Sequence, residues 1–141
     1  MTYSLALVLS LLSASAAPTV TAPSDSIRSD AKIRTVALRH APDVRKCYET
    51  EGLGRNPNLS GSVEVTITIL PTGAVSEVDV KADGLKGAGA VEVARCLQNN
   101  AKTWTFDRGP YVVESVILPF TLSRDGFGGA PGSRARTSAS D

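Results

Sequence analysis

Two runs of alternating apolar and polar residues, joined by a short break, constrain the fold more than any other feature of the chain. The first run covers residues 63–69, the second covers residues 77–82, and Pro71-Thr72-Gly73 lies between them. Alternation with period two is typical of a strand that has one buried face. Proline fixes φ and glycine permits positive φ, so the break has the composition of a turn. The pattern therefore predicts an antiparallel hairpin.

Helical segments are predicted on both sides of the hairpin, where they would cover its apolar face. Before the hairpin, an apolar stripe with spacings of three and four begins near Ala31 and ends at Gly52-Leu53-Gly54. Pro42 interrupts this stripe. Because proline removes a donor and clashes with the preceding turn, a break or kink is expected there. After the hairpin, a second helix is predicted over residues 90–102.

A third strand is predicted over residues 112–123, with Val116, Leu118, Phe120 and Leu122 on its apolar face. Glu114 falls on the same face near the start of the strand and is expected beyond the covered region. Pro119 has no N–H, which places this strand at the border of the sheet on at least part of its length. With a right-handed crossover, the element order predicts an α+β fold: helix-strand-strand-helix-strand, a three-stranded antiparallel-type sheet with its first strand central and two helices on one face.

The two ends of the chain are interpreted as segments outside this domain. An apolar run at residues 5–12, followed by small residues, predicts a signal peptide over residues 1–16. Residues 17–29 are rich in Pro, Ser and Thr and predict a flexible leader. Residues 124–141 lack any period and predict a disordered tail. The folded domain is therefore expected over residues 30–123.

The charge balance argues against several classes of partner. The chain has 15 Lys and Arg against 14 Asp and Glu, which gives a formal net charge of +1. There is no block of like charges, so neither nucleic acid nor an anionic membrane surface is an expected partner. The apolar run near the amino terminus is shorter than the roughly 20 residues of a spanning helix, so no membrane span is expected.

The chain has two cysteines, Cys47 and Cys96, one in each predicted helical region. In an exported chain this number suggests one intramolecular disulfide. Two buried free thiols in a cytosolic protein are the alternative interpretation. If both helices lie on the same face of the hairpin, the thiols can meet. The bridge would then close a loop of about fifty residues and contribute roughly 4 kcal/mol in the chain-entropy model.

No residue pattern supports catalysis, a cofactor or a metal site. His40, the single histidine, lies on the apolar side of a helix, where a packed or hydrogen-bonded role is expected. No cluster of His or Cys has metal-ligand spacing. The glycine-rich residues 83–89 match neither phosphate-binding fingerprint. Glu77 and Asp79 project from the same strand face, where solvated carboxylates are expected, and a small hydrolase that uses them is the third hypothesis.

Short motifs follow one another along the chain in a specific order. They are Val44-Arg-x-Cys47-Tyr48-Glu49, Asn56-Pro-Asn-Leu-Ser-Gly61, Ile69-x-Pro71-Thr-Gly73-x-Val75, Val91-Glu-x-x-x-Cys96, Trp104-x-Phe106 and Leu118-Pro-Phe120. Together they resemble the AgmX/PglI carboxy-terminal domain, a relative of the TonB carboxy-terminal domain. The resemblance covers about residues 33 to 122. One departure is Asp107, where the family usually has proline.

The resemblance implies a non-catalytic, exported module that binds an envelope protein or peptide segment, in the periplasm or cell envelope or after secretion. In the relatives an extended partner segment adds to the last strand. The implied docking edge is residues 112–122, with contacts at Val113, Ser115, Ile117 and Thr121. Relatives also pair through edge strands, which makes a homodimer a further expectation.

Two qualifications accompany this implied function. TonB-like energy transducers carry an anchoring helix and a long Pro-rich spacer before this domain. The present sequence has neither, so it is expected not to transduce energy by itself. The alternative function is a disulfide-stapled structural or inhibitor-like secreted domain.

Overall fold

The structure, a computed structural model, describes residues 27–128 and 134–137. The predicted signal peptide and most of the predicted leader lie outside the described residues. The elements follow the chain in this order: α1 Asp30–Arg39, α2 Ala41–Cys47, β1 Gly61–Ile69, β2 Val75–Lys81, α3 Ala90–Ala101, β3 Glu114–Ser123, β4 Gly126–Gly128 and β5 Arg134–Thr137. A π-helical turn, Tyr48–Leu53, continues α2.

The central sheet is antiparallel, with β1 between β2 and β3. Val65 of β1 lies opposite Val80 of β2 and Leu118 of β3. The turn between β1 and β2 requires glycine at position 73, since its φ is 86° and an added Cβ would lie 2.1 Å from the carbonyl oxygen of Phe106. The α+β class and the central position of the first strand are confirmed.

The helices cover one face of this sheet and leave the other face open. The residues that alternate along β1 and β3 on the helix side are fully buried: Val63, Val65, Ile67, Ile69, Val116, Leu118, Phe120 and Leu122. From the helix layer, α3 contributes Val93, Leu97 and Ala101 to the same core. Burying a side chain of Val or Leu size contributes about 1.5–3 kcal/mol, so this face makes a large contribution to the stability of the fold.

Local sequence signals explain where the helices begin and break. The Ser29 side chain accepts a hydrogen bond from the backbone N–H of Lys32 and caps α1. The helix ends before His40, and α2 restarts with Pro42 in its first turn, as predicted. Among residues 27–128 and 134–137, no helix combines the length and the apolar content needed to cross a bilayer.

The predicted disulfide is present and joins the two helical regions. Cys47 at the end of α2 is bonded to Cys96 in α3, with an S–S distance of 2.04 Å and a Cα–Cα distance of 5.6 Å. The side-chain amide of Asn100 lies 2.9 Å from the sulfur of Cys47. The bridge therefore holds α2 against α3 over the buried face of the sheet.

Glu114 is buried, and its predicted position beyond the covered region is wrong. Its carboxylate accepts a hydrogen bond from the backbone N–H of Arg28 at 2.6 Å and forms an ion pair with the guanidinium of that residue. Both side chains have 0% exposure. A carboxylate is buried at low energy only when it is paired, and the partner here lies 86 residues away in sequence.

Arg28 is part of the folded structure, although it falls within the predicted leader. Its guanidinium also donates to the carbonyl oxygens of Asp107 and Leu70, each at 2.9 Å, and lies 4.4 Å from the centre of the Tyr111 ring. This residue therefore links the β1–β2 turn, the segment before β3 and the first residue of β3.

The carboxy-terminal region also differs from its prediction. Residues 124–141 have no apolar period, yet β4 and β5 lie within them. Both segments pair with β3. Their strand conformation follows from the free backbone groups that a border strand offers, which a pattern of side chains does not reveal.

Candidate functional site

The outer border of β3 is the candidate functional site. We call it the β3 edge, meaning the backbone of Glu114–Ser123 on the side away from β1. Because β1 pairs with β3 along its other side, the β3 edge is one of the two borders of the three-stranded sheet. This matches the position that Pro119 predicts for the strand.

Three of the four predicted contact residues lie together on the open face of β3. Ser115, Ile117 and Thr121 alternate with buried residues; Ser115 and Ile117 are half-buried and Thr121 is exposed. Val113 is half-buried and lies just before the strand begins. The structure therefore brings Ser115, Ile117 and Thr121 into one row and leaves Val113 at its end.

The β3 edge carries strands from the same chain. β4 is antiparallel to Thr121–Ser123, and β5 is antiparallel to Glu114–Ile117. Of the predicted contact residues, Ser115 lies opposite Arg136, Ile117 opposite Arg134 and Thr121 opposite Gly128. The edge thus accepts short antiparallel strands, and within the described residues the occupant is the carboxy-terminal segment.

Pro119 divides the β3 edge into two parts. The described strands β4 and β5 pair with residues on either side of Leu118–Phe120, but not with those three. In sequence, five residues (129–133) separate β4 from β5. If β4 and β5 formed one uninterrupted ladder with β3, three residues would separate them, so the chain has two residues more than such a ladder needs. The register therefore changes between the two described ladders, and proline, which cannot donate a hydrogen bond, lies where this change occurs.

The side chains of β3 favour strand pairing. Across the whole strand, Glu114 is the single charged residue, and it is buried and paired with Arg28. The open face therefore presents uncharged Ser115, Ile117, Pro119 and Thr121. An incoming strand would meet backbone donors and acceptors without an adjacent side-chain charge to desolvate.

The opposite border of the sheet has a different character. We call it the β2 edge, meaning the backbone of Val75–Lys81 on the side away from β1. In the part of the chain that the structure describes, no strand pairs along it. Its exposed residues are Ser76 and three charged residues, Glu77, Asp79 and Lys81. The side-chain amide of Gln98 from α3 also donates to the carbonyl oxygen of Val78 at 3.0 Å.

A buried tyrosine underlies the far end of β3. The Tyr48 hydroxyl donates a hydrogen bond to the carbonyl oxygen of Leu59. Burial raises the pKa of Tyr48, and the nearby carboxylate of Asp125 raises it further. Because Asp125 lies in the turn between β3 and β4, Tyr48 connects the helix layer with the point where the chain returns along the edge.

A groove beside the disulfide is lined by charged and amide side chains. Its volume is about 390 Å³, and Glu51, Arg55, Glu92 and Arg95 contribute to its walls. The guanidinium of Arg55 lies 3.7 Å from the carboxylate of Glu92 and 4.0 Å from that of Glu51. Two acids and two bases balance within it, so the groove selects no ligand charge.

The structure also shows what surrounds the other candidate residues from the sequence, His40, Glu77 and Asp79. His40 stacks on Trp104 with ring centroids 4.8 Å apart, and its Nδ1 lies 2.9 Å from a carboxylate oxygen of Asp43. Glu77 and Asp79 are exposed on β2, opposite Thr68 and Thr66. Within residues 27–128 and 134–137, no group of three His, Cys, Asp or Glu side chains is arranged to hold a metal ion.

Sequence reasoning identified the border strand but missed what lies against it. The alternation and Pro119 were sufficient to locate β3 at the border. The only signal for the Arg28 contact was an acid on an apolar strand face, which needs a buried partner. Comparisons with family models, curated proteins and solved structures give no match for this chain, so the resemblance to the AgmX/PglI and TonB carboxy-terminal domains rests on the motifs themselves.

Proposed function

We propose that the protein is a non-catalytic, exported binding module that captures an extended segment of an envelope protein along the β3 edge. The observation that carries the proposal is that this edge accepts antiparallel strands, since β4 and β5 pair with it. Main-chain hydrogen bonds would supply the affinity. The row of Ser115, Ile117 and Thr121 would contact alternate side chains of the partner and supply the selectivity.

The disulfide supports the compartment that we propose. The Cys47–Cys96 bridge fits an exported protein, because disulfides persist in oxidising compartments and are rare in the cytosol. The apolar run and small residues near the amino terminus point in the same direction. We place the protein in the periplasm or cell envelope, where extended segments of other envelope proteins are accessible.

A binding role agrees better with the surface than a hydrolytic one. Glu77 and Asp79 stand exposed to water on an open sheet face. Catalysis by a pair of carboxylates needs an enclosed site that orients the substrate and excludes solvent. A backbone edge needs neither to bind a strand.

The alternative function, a disulfide-stapled structural or inhibitor-like secreted domain, is favoured by one observation. The β3 edge already carries β4 and β5. In that alternative these strands close the sheet permanently. Substitutions at the edge would then alter stability without altering the capture of any partner.

A pull-down from envelope extracts separates the two functions. Ile117→Lys introduces a charge at the β3 edge, and Thr66→Lys introduces the same charge on the same face of the central strand, directly opposite Ile117. We expect Ile117→Lys to reduce partner capture at least about tenfold, which corresponds to about 1.4 kcal/mol, because strand pairing would desolvate the new charge. Thr66→Lys should retain most of the capture.

Circular dichroism first confirms that both variants are folded. Equal capture by the folded wild type, Ile117→Lys and Thr66→Lys would contradict binding at the β3 edge and favour the structural alternative.

A further inference from the structure

We propose that β5 is a built-in competitor for the partner strand, so that a partner binds the β3 edge by displacing the chain's own segment Arg134–Thr137. This inference rests on the proposed function. β5 pairs with Glu114–Ile117, a stretch that includes the predicted contact residues Ser115 and Ile117. One side of a strand forms a ladder with one neighbour at a time, so β5 and a partner strand exclude each other there.

The two tail strands differ in how firmly the chain holds them. β4 follows β3 after a turn of two residues, Arg124 and Asp125, and is therefore part of a local hairpin. β5 begins after a further five residues and pairs beyond the break at Pro119. The ladders of β4 and β5 are not continuous, so β5 can leave the edge while β4 remains paired. The displaceable part of the edge is therefore Glu114–Ile117.

The occupant also indicates the kind of partner that fits. β5 has the sequence Arg-Ala-Arg-Thr, in which arginine alternates with small residues. Arg134 is opposite Ile117, whose other neighbour Thr66 is opposite Asp79. Arg136 starts the next row, which passes through Ser115 and Thr68 to Glu77. Each arginine position of β5 is therefore in cross-strand register with one acid of β2, with β3 and β1 between them.

The distance between the acids of β2 and the outermost strand decides how strongly charge can select the partner. Three strand spacings separate β5 from β2, which is about 14 Å between backbones. That distance exceeds the Debye length of about 8 Å at physiological ionic strength. The acids of β2 therefore supply a weak preference for basic segments, and the backbone ladder supplies most of the affinity. An extended segment in which small and basic residues alternate therefore fits the β3 edge through its backbone and through its charge.

The tether determines how strongly β5 competes. A tether of a few residues gives an effective concentration on the order of 1 mM. If β5 occupies the edge about nine-tenths of the time, the same segment supplied as a free peptide binds an empty edge with a Kd of about 0.1 mM. Removing the competitor then improves the apparent affinity of any strand ligand about tenfold.

The test uses a synthetic peptide with the sequence of residues 133–139, Ser-Arg-Ala-Arg-Thr-Ser-Ala, titrated by NMR into the full chain. The variant that releases the competitor is Ala135→Pro with Arg136→Pro, since adjacent prolines remove the donors of β5. The matched control is Ser140→Pro, which adds a proline in the tail three residues beyond β5. Amide hydrogen exchange at Ser115, Val116 and Ile117 reports whether the edge is occupied.

We expect the double proline variant to show faster exchange at one or more of these three amides and to bind the peptide about tenfold more tightly than the wild type and Ser140→Pro. Unchanged exchange in the double variant would overturn the competitor role of β5. It would not decide whether the β3 edge captures a partner, because the pull-down tests that function separately. Faster exchange with no peptide binding by any form would overturn the competition and the strand-addition function together.

Discussion

The two borders of the sheet are built from strands of similar length and opposite character. The β2 edge exposes Glu77, Asp79 and Lys81 and gives the carbonyl of Val78 to Gln98 of α3. The β3 edge has no exposed charge within the strand and carries β4 and β5. Both borders offer backbone donors and acceptors, so the difference lies in the side chains that surround them.

This difference indicates how one sheet can close one edge and use the other. Charged side chains on a border strand oppose pairing because an incoming strand would desolvate them. The β2 edge has this protection, and the β3 edge has its own tail segments in its place. Protection by charge is permanent, whereas protection by a tethered strand is reversible. Reversible protection suits an edge that has a binding function.

Removal of the disulfide should have the largest effect on stability and should leave the contrast between the edges intact. The Cys47→Ala, Cys96→Ala variant loses a bridge between residues 49 apart in sequence. We expect the free energy of unfolding to fall by about 4 kcal/mol, measured by urea denaturation. The bridge holds the helix layer over both edges, so partner capture by the folded fraction should still be lost on Ile117→Lys. A loss below about 1 kcal/mol would contradict the bridge's role.

Glu114→Gln should produce the next largest loss, because it leaves the buried guanidinium of Arg28 without its counter-charge. The expected decrease is about 3 kcal/mol, at the low end for a broken buried pair since Arg28 keeps its contacts with two backbone carbonyls and Tyr111. The control is Glu49→Gln in the exposed pair with Arg45, which should change stability by no more than about 0.5 kcal/mol. Equal effects in the two variants would show that Glu114 does not anchor the start of the β3 edge.

Removing charge from the β2 edge should convert it into a second pairing edge. In the Glu77→Thr, Asp79→Thr variant, two exposed acids give way to residues that favour strands. We expect self-association to tighten about tenfold, or about 1.4 kcal/mol, measured by sedimentation velocity. The variant Asp43→Thr, Glu49→Thr makes the same change in net charge in the helix layer, away from this border, and its self-association should equal that of the wild type. If both variants associate equally, net charge rather than edge protection controls pairing.

Substitution of Tyr48, at the far end of β3, should have the smallest effect on stability and should change how stability depends on pH. Its pKa is raised above the ordinary value of 10.0, so the unfolded chain ionises first as the pH rises. The contribution of Tyr48 to stability is therefore complete below about pH 10 and is lost as the pH rises from there through the folded-state pKa. Tyr48→Phe should reduce stability by about 1 kcal/mol at neutral pH, through loss of the bond to Leu59.

Tyr48→Phe should also remove its part of the alkaline decline, because phenylalanine does not ionise. Urea denaturation of the wild type and the variant between about pH 8 and about pH 11 measures this difference. An identical alkaline decline in both proteins would show that the Tyr48 hydroxyl is not held neutral by burial.

The parts of the fold that the sequence predicted depend on local patterns. Alternation located β1 and β3, Pro42 marked the break between α1 and α2, and the two cysteines had a single intramolecular pairing. The Arg28–Glu114 pair could not be found in this way, because its partners are 86 residues apart. The acid on the apolar face of β3 indicates that a buried partner is needed, and nothing in its own segment identifies that partner. β5 escaped prediction for a related reason: its conformation is imposed by the edge of β3 rather than by its own residues.

The most direct measurement of the difference between the two edges is site-specific photocrosslinking in the native envelope. A photoreactive residue at Ile117 reports contacts at the β3 edge, and the same residue at Glu77 reports contacts at the β2 edge. Mass spectrometry of the crosslinked peptides identifies the partner segment. We predict crosslinks from position 117 to an extended segment of another envelope protein, with none to that segment from position 77. Equal crosslinking from the two positions, or crosslinks to that partner from position 77 alone, would contradict the assignment of binding to the β3 edge.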